Sequence, residues 1–218
     1  MFKEIRILLT KDILSEVKQK NNISIILLYS LTTIFLIYML FISAIDTATW
    51  NALFWIVSLF AATTAISKSF AFDSGSRQLY MYSLASPQAI IIAKIIFNCL
   101  FMVLLSALNL IVFIIIFNKA PGNIIGYSLV SLLGIIGISI VMTMVSAIAN
   151  RTNNNFLLMS VLGFPIIIPL LLSVTKACNA LLNLSTEISL AFNIFIILFL
   201  IIASALLSFI LFPYIWRE

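Results

Sequence analysis

Six long apolar segments, separated by short polar breaks, dominate the pattern of the chain. Each segment has enough residues to cross a hydrocarbon layer of ~30 Å, which requires ~20 helical residues. The pattern therefore predicts an all-α membrane protein, with one transmembrane permease-like domain over residues 1–218 and six transmembrane helices. We place the six spans at residues 23–45, 51–72, 95–117, 124–149, 156–175 and 189–212.

The basic residues between the spans indicate the orientation of the chain. An even number of spans returns both termini to the same compartment. If that compartment is the cytoplasm, ten of the 12 Lys and Arg residues are cytoplasmic, and only Lys119 and Lys176 lie outside. Lys and Arg accumulate in the cytoplasmic loops of membrane proteins. We therefore predict that the N and C termini are both cytoplasmic.

The composition supports a membrane protein, because 63% of the residues are apolar and only 9% are charged. Ordinary soluble domains have roughly 25% charged residues. We interpret the net charge of +5 as attraction to anionic membrane lipid, and we expect no binding of nucleic acid. The first apolar segment starts at Ile23 and has no small-residue cleavage pattern after it, so we expect it to remain in the membrane.

Residues 1–20 form a separate element before the first span. Apolar residues recur there at helical spacing with basic residues between them, which predicts an amphipathic helix along the inner membrane surface. Whether this helix is a simple anchor or makes a specific contact with a partner stays open at this point. The apolar positions are Phe2, Ile5, Leu8, Leu9, Ile13, Leu14 and Val17.

The longest polar interval, residues 68–94, follows the second span. A turn cluster at residues 73–76 precedes a segment, residues 77–84, that can make two helical turns. This pattern predicts a short cytoplasmic helix between the second and third spans. Ser86 and Pro87 then supply an N-cap and a first-turn proline for the third span. Lys94 lies about two turns into the third helix, and we expect its ammonium to snorkel back to the inner interface.

Two prolines distinguish the fifth span. Pro165 and Pro169 are four residues apart and lie on the same helical face, so two successive backbone hydrogen bonds are lost and the helix must kink or break. Broken membrane helices are tolerated only where protein or a cavity covers the freed carbonyls. An ordinary proline kink without a role in transport is the alternative, because prolines are common in membrane helices.

The chain has no histidine, which removes the commonest metal ligand and general base. No carboxylates are paired within the spans, and no hydrolase or nucleotide-binding motif is present. We therefore expect that this chain is not an enzyme. Cys99 and Cys178 lie far apart in the predicted topology, so we expect no disulfide and interpret both as apolar fillers.

Small residues follow one another in the fourth span. Gly122 and Gly126 form a G-x-x-x-G pattern, and Ser131, Gly134 and Gly137 continue the small-residue surface. Such a surface lets two helices approach closely, which is compatible with a dimer seam, although a chance match is equally compatible with so apolar a chain.

Several of these residues carry a family resemblance. The segment 72–76, Phe-Asp-Ser-Gly-Ser, followed by Gln78-Leu79, Ser86-Pro87 and Ala93-Lys94, resembles the haem exporter protein B family (CcmB). The segment 165–170, Pro-Ile-Ile-Ile-Pro-Leu, is similar to that family's pattern in the fifth span. The similarity extends over nearly the whole chain. Residues 151–155 keep a basic residue but lack the two glycines that the family usually has there.

The resemblance implies the permease fold of an ABC-2 type exporter, in the bacterial inner membrane, acting in cytochrome c maturation. The implied partners are a cytoplasmic ATPase (CcmA-like), a haem-handling membrane protein (CcmC-like) and a haem chaperone (CcmE-like), with ATP bound in the ATPase and haem as substrate of the complex. We expect no cofactor in this chain and expect a homodimer. The residues that we expect to couple to the ATPase are Asp73, Gly75, Arg77, Leu79 and Tyr80.

Two alternative functions share the same sequence features. The first is an ABC-2 permease for a lipid, a polysaccharide or a drug, which would have the same fold and the same cytoplasmic helix. The Pro165 to Pro169 segment is the main feature against it. The second is a membrane scaffold without transport activity, whose function would not depend on ATP hydrolysis by an associated subunit.

Overall fold

The computed structural model describes residues 1–18, 20–41, 45–71, 86–149, 155–182 and 190–217. Seven helices occur within these ranges, and six of them, α2 to α7, are long and apolar enough to cross a membrane. The predicted all-helical fold with six spans is thereby confirmed. The helices are α1 (Phe2–Lys18), α2 (Lys20–Leu40), α3 (Thr47–Ala71), α4 (Pro87–Phe117), α5 (Ile124–Ala149), α6 (Asn155–Leu181) and α7 (Leu190–Arg217).

Helix α5 is the centre of the bundle. It packs against α3, α4, α6 and α7, and it is largely buried, whereas α2 and α7 are mostly exposed. An arrangement of this kind needs short side chains where the neighbouring helices approach most closely. The small residues of α5 supply them, so the fourth predicted span holds the other spans together.

The small-residue surface of α5 is used within the chain. A Cβ atom added at Gly134 would lie 2.6 Å from Cη2 of Trp55, and one added at Gly137 would lie 2.7 Å from Cδ1 of Leu170. Ser131 is also buried. The dimer seam considered for this surface is therefore corrected at these three positions, because α3, α6 and α7 already occupy it.

Helix α4 begins earlier than the predicted third span. Ser86 has the extended backbone of an N-cap residue (φ −69°, ψ 141°), and Pro87 is the first helical residue. The helix boundary predicted from Ser86 and Pro87 is therefore confirmed. At 1.5 Å per residue, its 31 residues give a length of ~46 Å. This exceeds the ~30 Å hydrocarbon layer by about three helical turns.

At the end of the bundle opposite to Ser86, side-chain oxygens cap the starts of α3 and α5. The carboxylate of Asp46 accepts a hydrogen bond from the backbone N–H of Thr49 (3.3 Å) at the start of α3. The side-chain carbonyl of Asn123 accepts one from the N–H of Gly126 (2.9 Å) at the start of α5. Hydrogen bonds from the side chain and the backbone of Thr49 hold the pKa of the Asp46 carboxyl below its ordinary value. Both contacts satisfy an N–H that a helix start otherwise leaves without a partner.

Candidate functional site at the junction of the N-terminal helix and the third span

The residues predicted to couple to an ATPase, Asp73, Gly75, Arg77, Leu79 and Tyr80, lie outside the described residues, as does the short helix predicted over residues 77–84. What the structure does describe is the point where this interval ends. The described chain resumes at Ser86, directly before α4. The contacts of Ser86 therefore show how the start of α4 is attached to the rest of the bundle.

Helix α1 holds Ser86 through a carboxylate. Oε2 of Glu4 accepts a hydrogen bond from the Ser86 hydroxyl (2.9 Å) and another from the Ser86 backbone N–H (3.3 Å). The Ser86 hydroxyl makes no cap bond to its own helix, so the N-cap role predicted for that hydroxyl is replaced by a contact with α1. Hydrogen bonds from the N-terminal ammonium and from Ser86 lower the pKa of Glu4, which keeps this acceptor ionised near neutral pH.

A second contact lies two turns further along both helices. Nζ of Lys94 is 3.4 Å from Oδ2 of Asp12, and the two side chains are only 7% and 8% exposed. That this ammonium also reaches the inner membrane interface, as the sequence predicts, stays a prediction. The Lys94 ammonium stays inside the protein because Asp12 supplies a carboxylate there, which a buried cation needs. Lys11, at 3.3 Å from the other Asp12 oxygen, completes the cluster.

The two contacts put α1 and α4 in one register. Glu4 and Asp12 are eight residues apart, and so are their partners Ser86 and Lys94, so the two helices run in the same direction over about 12 Å. Between the polar contacts, Leu8 packs against an apolar cluster of Ile90, Ile91, Ala147 and Phe212. We call this assembly of residues 4–12 with residues 86–94 the α1–α4 junction.

The predicted N-terminal helix is present, while its placement along the inner membrane surface stays a prediction. Its apolar residues are divided between two faces. Ile5, Leu8 and Leu9 are partly buried against the bundle. By contrast, Phe2 and Leu14 are well exposed, together with Ile13 and Val17. The buried centre of the docked face is Asp12. The single apolar stripe read from the sequence is therefore corrected, because the docked face is chosen by charge pairing as well as by apolar burial.

The two prolines of the fifth span lie inside one helix, α6. The structure does not divide α6 into two half-helices at Pro165 and Pro169, whereas the bend that they would cause stays a prediction. Both prolines are on the exposed side, so neither borders the interior of the bundle. The Ser173 hydroxyl donates to the carbonyl of Pro169 (2.9 Å), as serine hydroxyls commonly do in membrane helices.

A polar network joins α3, α5 and α6 near the opposite end of the bundle. Nδ2 of Asn51 donates to Oδ1 of Asn179 (2.7 Å) and to the carbonyl of Thr175 (3.2 Å). Oδ1 of Asn51 accepts from Nε1 of Trp55 (3.1 Å) and from the hydroxyl of Tyr127 (3.0 Å). All four hydrogen-bonding capacities of the Asn51 amide are used. The Asn51 amide is therefore a structural group that ties α3, α5 and α6 together.

Aromatic side chains surround this network. Trp50, Phe54, Phe113 and Tyr127 have ring centroids 5.7–6.3 Å apart in tilted, stacked and edge-to-face pairs. Such pairs stabilise buried clusters beyond their apolar area. The cluster connects α4 to α3 and α5, and it places two phenylalanines, Phe54 and Phe113, in the core.

Metal-binding chemistry is not visible in the described part of the chain, where no group of three His, Cys, Asp or Glu side chains could hold an ion. Cys178 is buried, Cys99 is partly exposed, and neither is in a disulfide. The expectation that the two cysteines do not pair is confirmed.

Sequence reasoning missed the α1–α4 junction as a site. Two signals were available. Glu4, Asp12 and Glu16 recur at helical spacing on one side of α1. Lys94 also lies further into an apolar helix than a solvated lysine normally would. The contact itself joins residues 82 positions apart, so no local pattern could identify the pairing.

Comparison with known proteins decides the family. A model of the CcmB protein family matches residues 3–214. The chain belongs to the CcmB family. It is thus a multi-pass membrane permease component of haem export for cytochrome c maturation, and it is not itself an enzyme. Neither the search of curated proteins nor the search of solved structures found a match.

Proposed function

We propose that this chain couples ATP hydrolysis in a CcmA-like cytoplasmic ATPase to haem export and to release of a haem-loaded, CcmE-like chaperone from a CcmC-like membrane protein. The chain would act as a homodimer in the bacterial inner membrane, with both termini and residues 68–94 in the cytoplasm. Family membership supports the permease role and association with ATPase and CcmC-type partners. The α1–α4 junction supports the coupling step.

The observation that carries the coupling proposal is the attachment of Ser86. This residue directly follows residues 72–85 and is the N-cap of the longest helix described, and Glu4 accepts hydrogen bonds from both its hydroxyl and its N–H. An ATPase that displaces residues 72–85 would therefore act on α1 and α4 together, because Ser86 is connected to both helices. Asp12 and Lys94 keep the two helices in register two turns deeper. Packed rigid elements of this kind can carry energetic coupling between distant sites.

Haem is proposed as the substrate of the complex and not as a resident group of this chain. Stable haem sites use a strong axial ligand such as His, Cys, Met or Tyr. The chain has no histidine, and its methionines and cysteines are scattered along separate helices, with Cys99 on α4 and Cys178 on α6. We therefore expect no stoichiometric six-coordinate haem in the isolated chain. Coupling to a haem-handling partner accounts better for these residues.

The test uses the complete complex of chain, ATPase and haem-handling protein. Leu79→Asp and Tyr80→Asp should each uncouple ATP hydrolysis from cytochrome c maturation while the chain still inserts into the membrane. Gly122→Asp is the matched control, because it adds the same charge where a side chain would meet nothing within 4 Å. ATPase association and cytochrome c yield equal to wild type in both loop variants would refute the coupling assignment.

A further inference from the structure

The start of α4 and the end of α7 meet at one end of the bundle, and their contact leaves space. Phe212 of α7 packs with Ile90 and Ile91 of α4. A narrow cavity between α4, α5 and α7 has about 160 Å³ of empty space there, none of it wide enough for a water molecule. We call residues 88–91 of α4 and the facing residues 208–214 of α7 the α4–α7 seam. The cavity is lined by Ile91, Met144, Ala147, Ser208 and Phe212, among others.

A wider groove lies beside this cavity. It has about 310 Å³ accessible to water and runs between Gln88, in the first turn of α4, and the last turns of α7. On α7, residues 209, 210, 213 and 214 line the groove, whereas residues 208, 211 and 212 line the narrow cavity. The same two turns of α7 therefore separate a space that holds water from one that does not.

Ser208 is the polar residue of the narrow cavity. It is 2% exposed, and its hydroxyl has no hydrogen-bond partner within the described part of the chain. Ser204, one turn deeper and also 2% exposed, donates to the carbonyl of Leu200 (2.7 Å). A buried hydroxyl without a partner is unfavourable, and contact with water removes this penalty. A state in which water reaches Ser208 therefore gains a hydrogen bond that the closed seam lacks.

Helix α7 is weakened at the same place. Pro213 lies inside the helix, and it has no N–H to donate to the carbonyl of Phe209. Helices bend most readily where such a bond is missing. The end of α7 can therefore move at Phe212 while the rest of the helix stays packed against α5 and α6.

We propose that the α4–α7 seam is a gate, which Phe212 closes and which admits water to Ser208 when it opens. The gate depends only on the bundle. Its drive rests on the proposed function: Gln88 is two residues from Ser86, so an ATPase that displaces residues 72–85 would move the α4 side of the seam. Opening would then follow ATP hydrolysis.

Thiol reactivity measures the opening of this gate in the complete chain. Ser208→Cys and Ser204→Cys are prepared in a background without the native cysteines, placed in nanodiscs and reacted with a water-soluble maleimide. The two serines are equally buried, so a difference in rate reports opening and not static exposure. Ser204→Cys is thus the matched control.

We expect Ser208→Cys to react at least about tenfold faster than Ser204→Cys, because local opening at the seam exposes only position 208. Pro213→Ala supplies the missing N–H and should slow the reaction at position 208 about threefold or more. Phe212→Ala removes the closing side chain and should accelerate the reaction at position 208, with no change at position 204.

Equal rates at positions 208 and 204 would overturn the proposal. An unchanged rate at position 208 in the Pro213→Ala chain would also contradict it, as would equal acceleration at both positions in the Phe212→Ala chain. Addition of the ATPase and ATP should raise the rate at position 208 further. A chain that shows the difference between the two positions but does not respond to ATP would count against the proposed coupling alone, so the two proposals fail separately.

Discussion

Replacement of Asp12 tests the α1–α4 junction quantitatively. Asp12→Leu leaves the ammonium of Lys94, which is 7% exposed, without this carboxylate. Removing one partner of a buried pair costs ~3–5 kcal/mol. We expect about 3 kcal/mol, at the lower end, because Lys94 lies near the interface where rearrangement toward water is easiest. A loss of this size corresponds to a change of roughly 150-fold in the equilibrium between docked and undocked α1.

Replacing Lys94, alone and together with Asp12, tests whether the two residues interact. Lys94→Met should cost less, about 1–2 kcal/mol, because Asp12 retains Lys11 at 3.3 Å. Asp12→Leu combined with Lys94→Met should recover most of the loss, since an apolar pair of similar volume replaces the ion pair. The expected coupling free energy is therefore about 3 kcal/mol. Lys18→Met removes an exposed charge from the same helix and is the control, with no expected change.

Hydrogen exchange measured by mass spectrometry on the peptide covering residues 2–18 is the appropriate assay, because it reports undocking of α1 even when the bundle stays folded. Thermal unfolding in detergent gives the global stability in parallel. Single replacements that leave exchange at the wild-type level would refute the reasoning. A double replacement that is as damaging as the sum of the two singles would show that the residues do not interact.

Three further predictions concern the bundle and its orientation. Gly134→Leu should prevent correct packing, because even its Cβ would lie 2.6 Å from Trp55 and overpacking costs ~1–3 kcal/mol or more; Gly122→Leu, in open space, should unfold at the wild-type temperature. Asn51→Leu should lower the unfolding free energy by about 3 kcal/mol, since it removes four hydrogen bonds and leaves buried partners unsatisfied, and an unchanged melting temperature would contradict this. Ser76→Cys, in a background without native cysteines, should resist labelling from outside intact cells, and efficient labelling would refute the predicted topology.

The sequence was sufficient to predict the number and type of the spans. Runs of ~20 apolar residues are a direct consequence of bilayer thickness. The start of α4 follows from the fixed φ of Pro87. Each of these signals is local, since it can be recognised within a single segment of the chain. The N-terminal helix could be predicted for the same reason, since its periodicity is local.

Contacts between distant segments could not be predicted in this way. The Asp12 to Lys94 pair depends on which face of α1 meets α4, and the sequence alone made the apolar stripe the natural choice. Gly134 could be identified as a place of close approach, but only the fold shows that Trp55 of the same chain, and not a second copy, fills that space. The candidate coupling residues 73–80 lie outside the described residues and stay a prediction.

The most direct test of the proposed role is the state of haem in cells that lack this chain. Covalent haem in cytochrome c and haem on the CcmE-like chaperone would be measured together, with the ATPase and the CcmC-like protein present. The account predicts no mature cytochrome c, and a haem-loaded chaperone that stays bound to its membrane partner until the chain is restored. Normal cytochrome c in the absence of the chain, or a chaperone released at the usual rate, would contradict it.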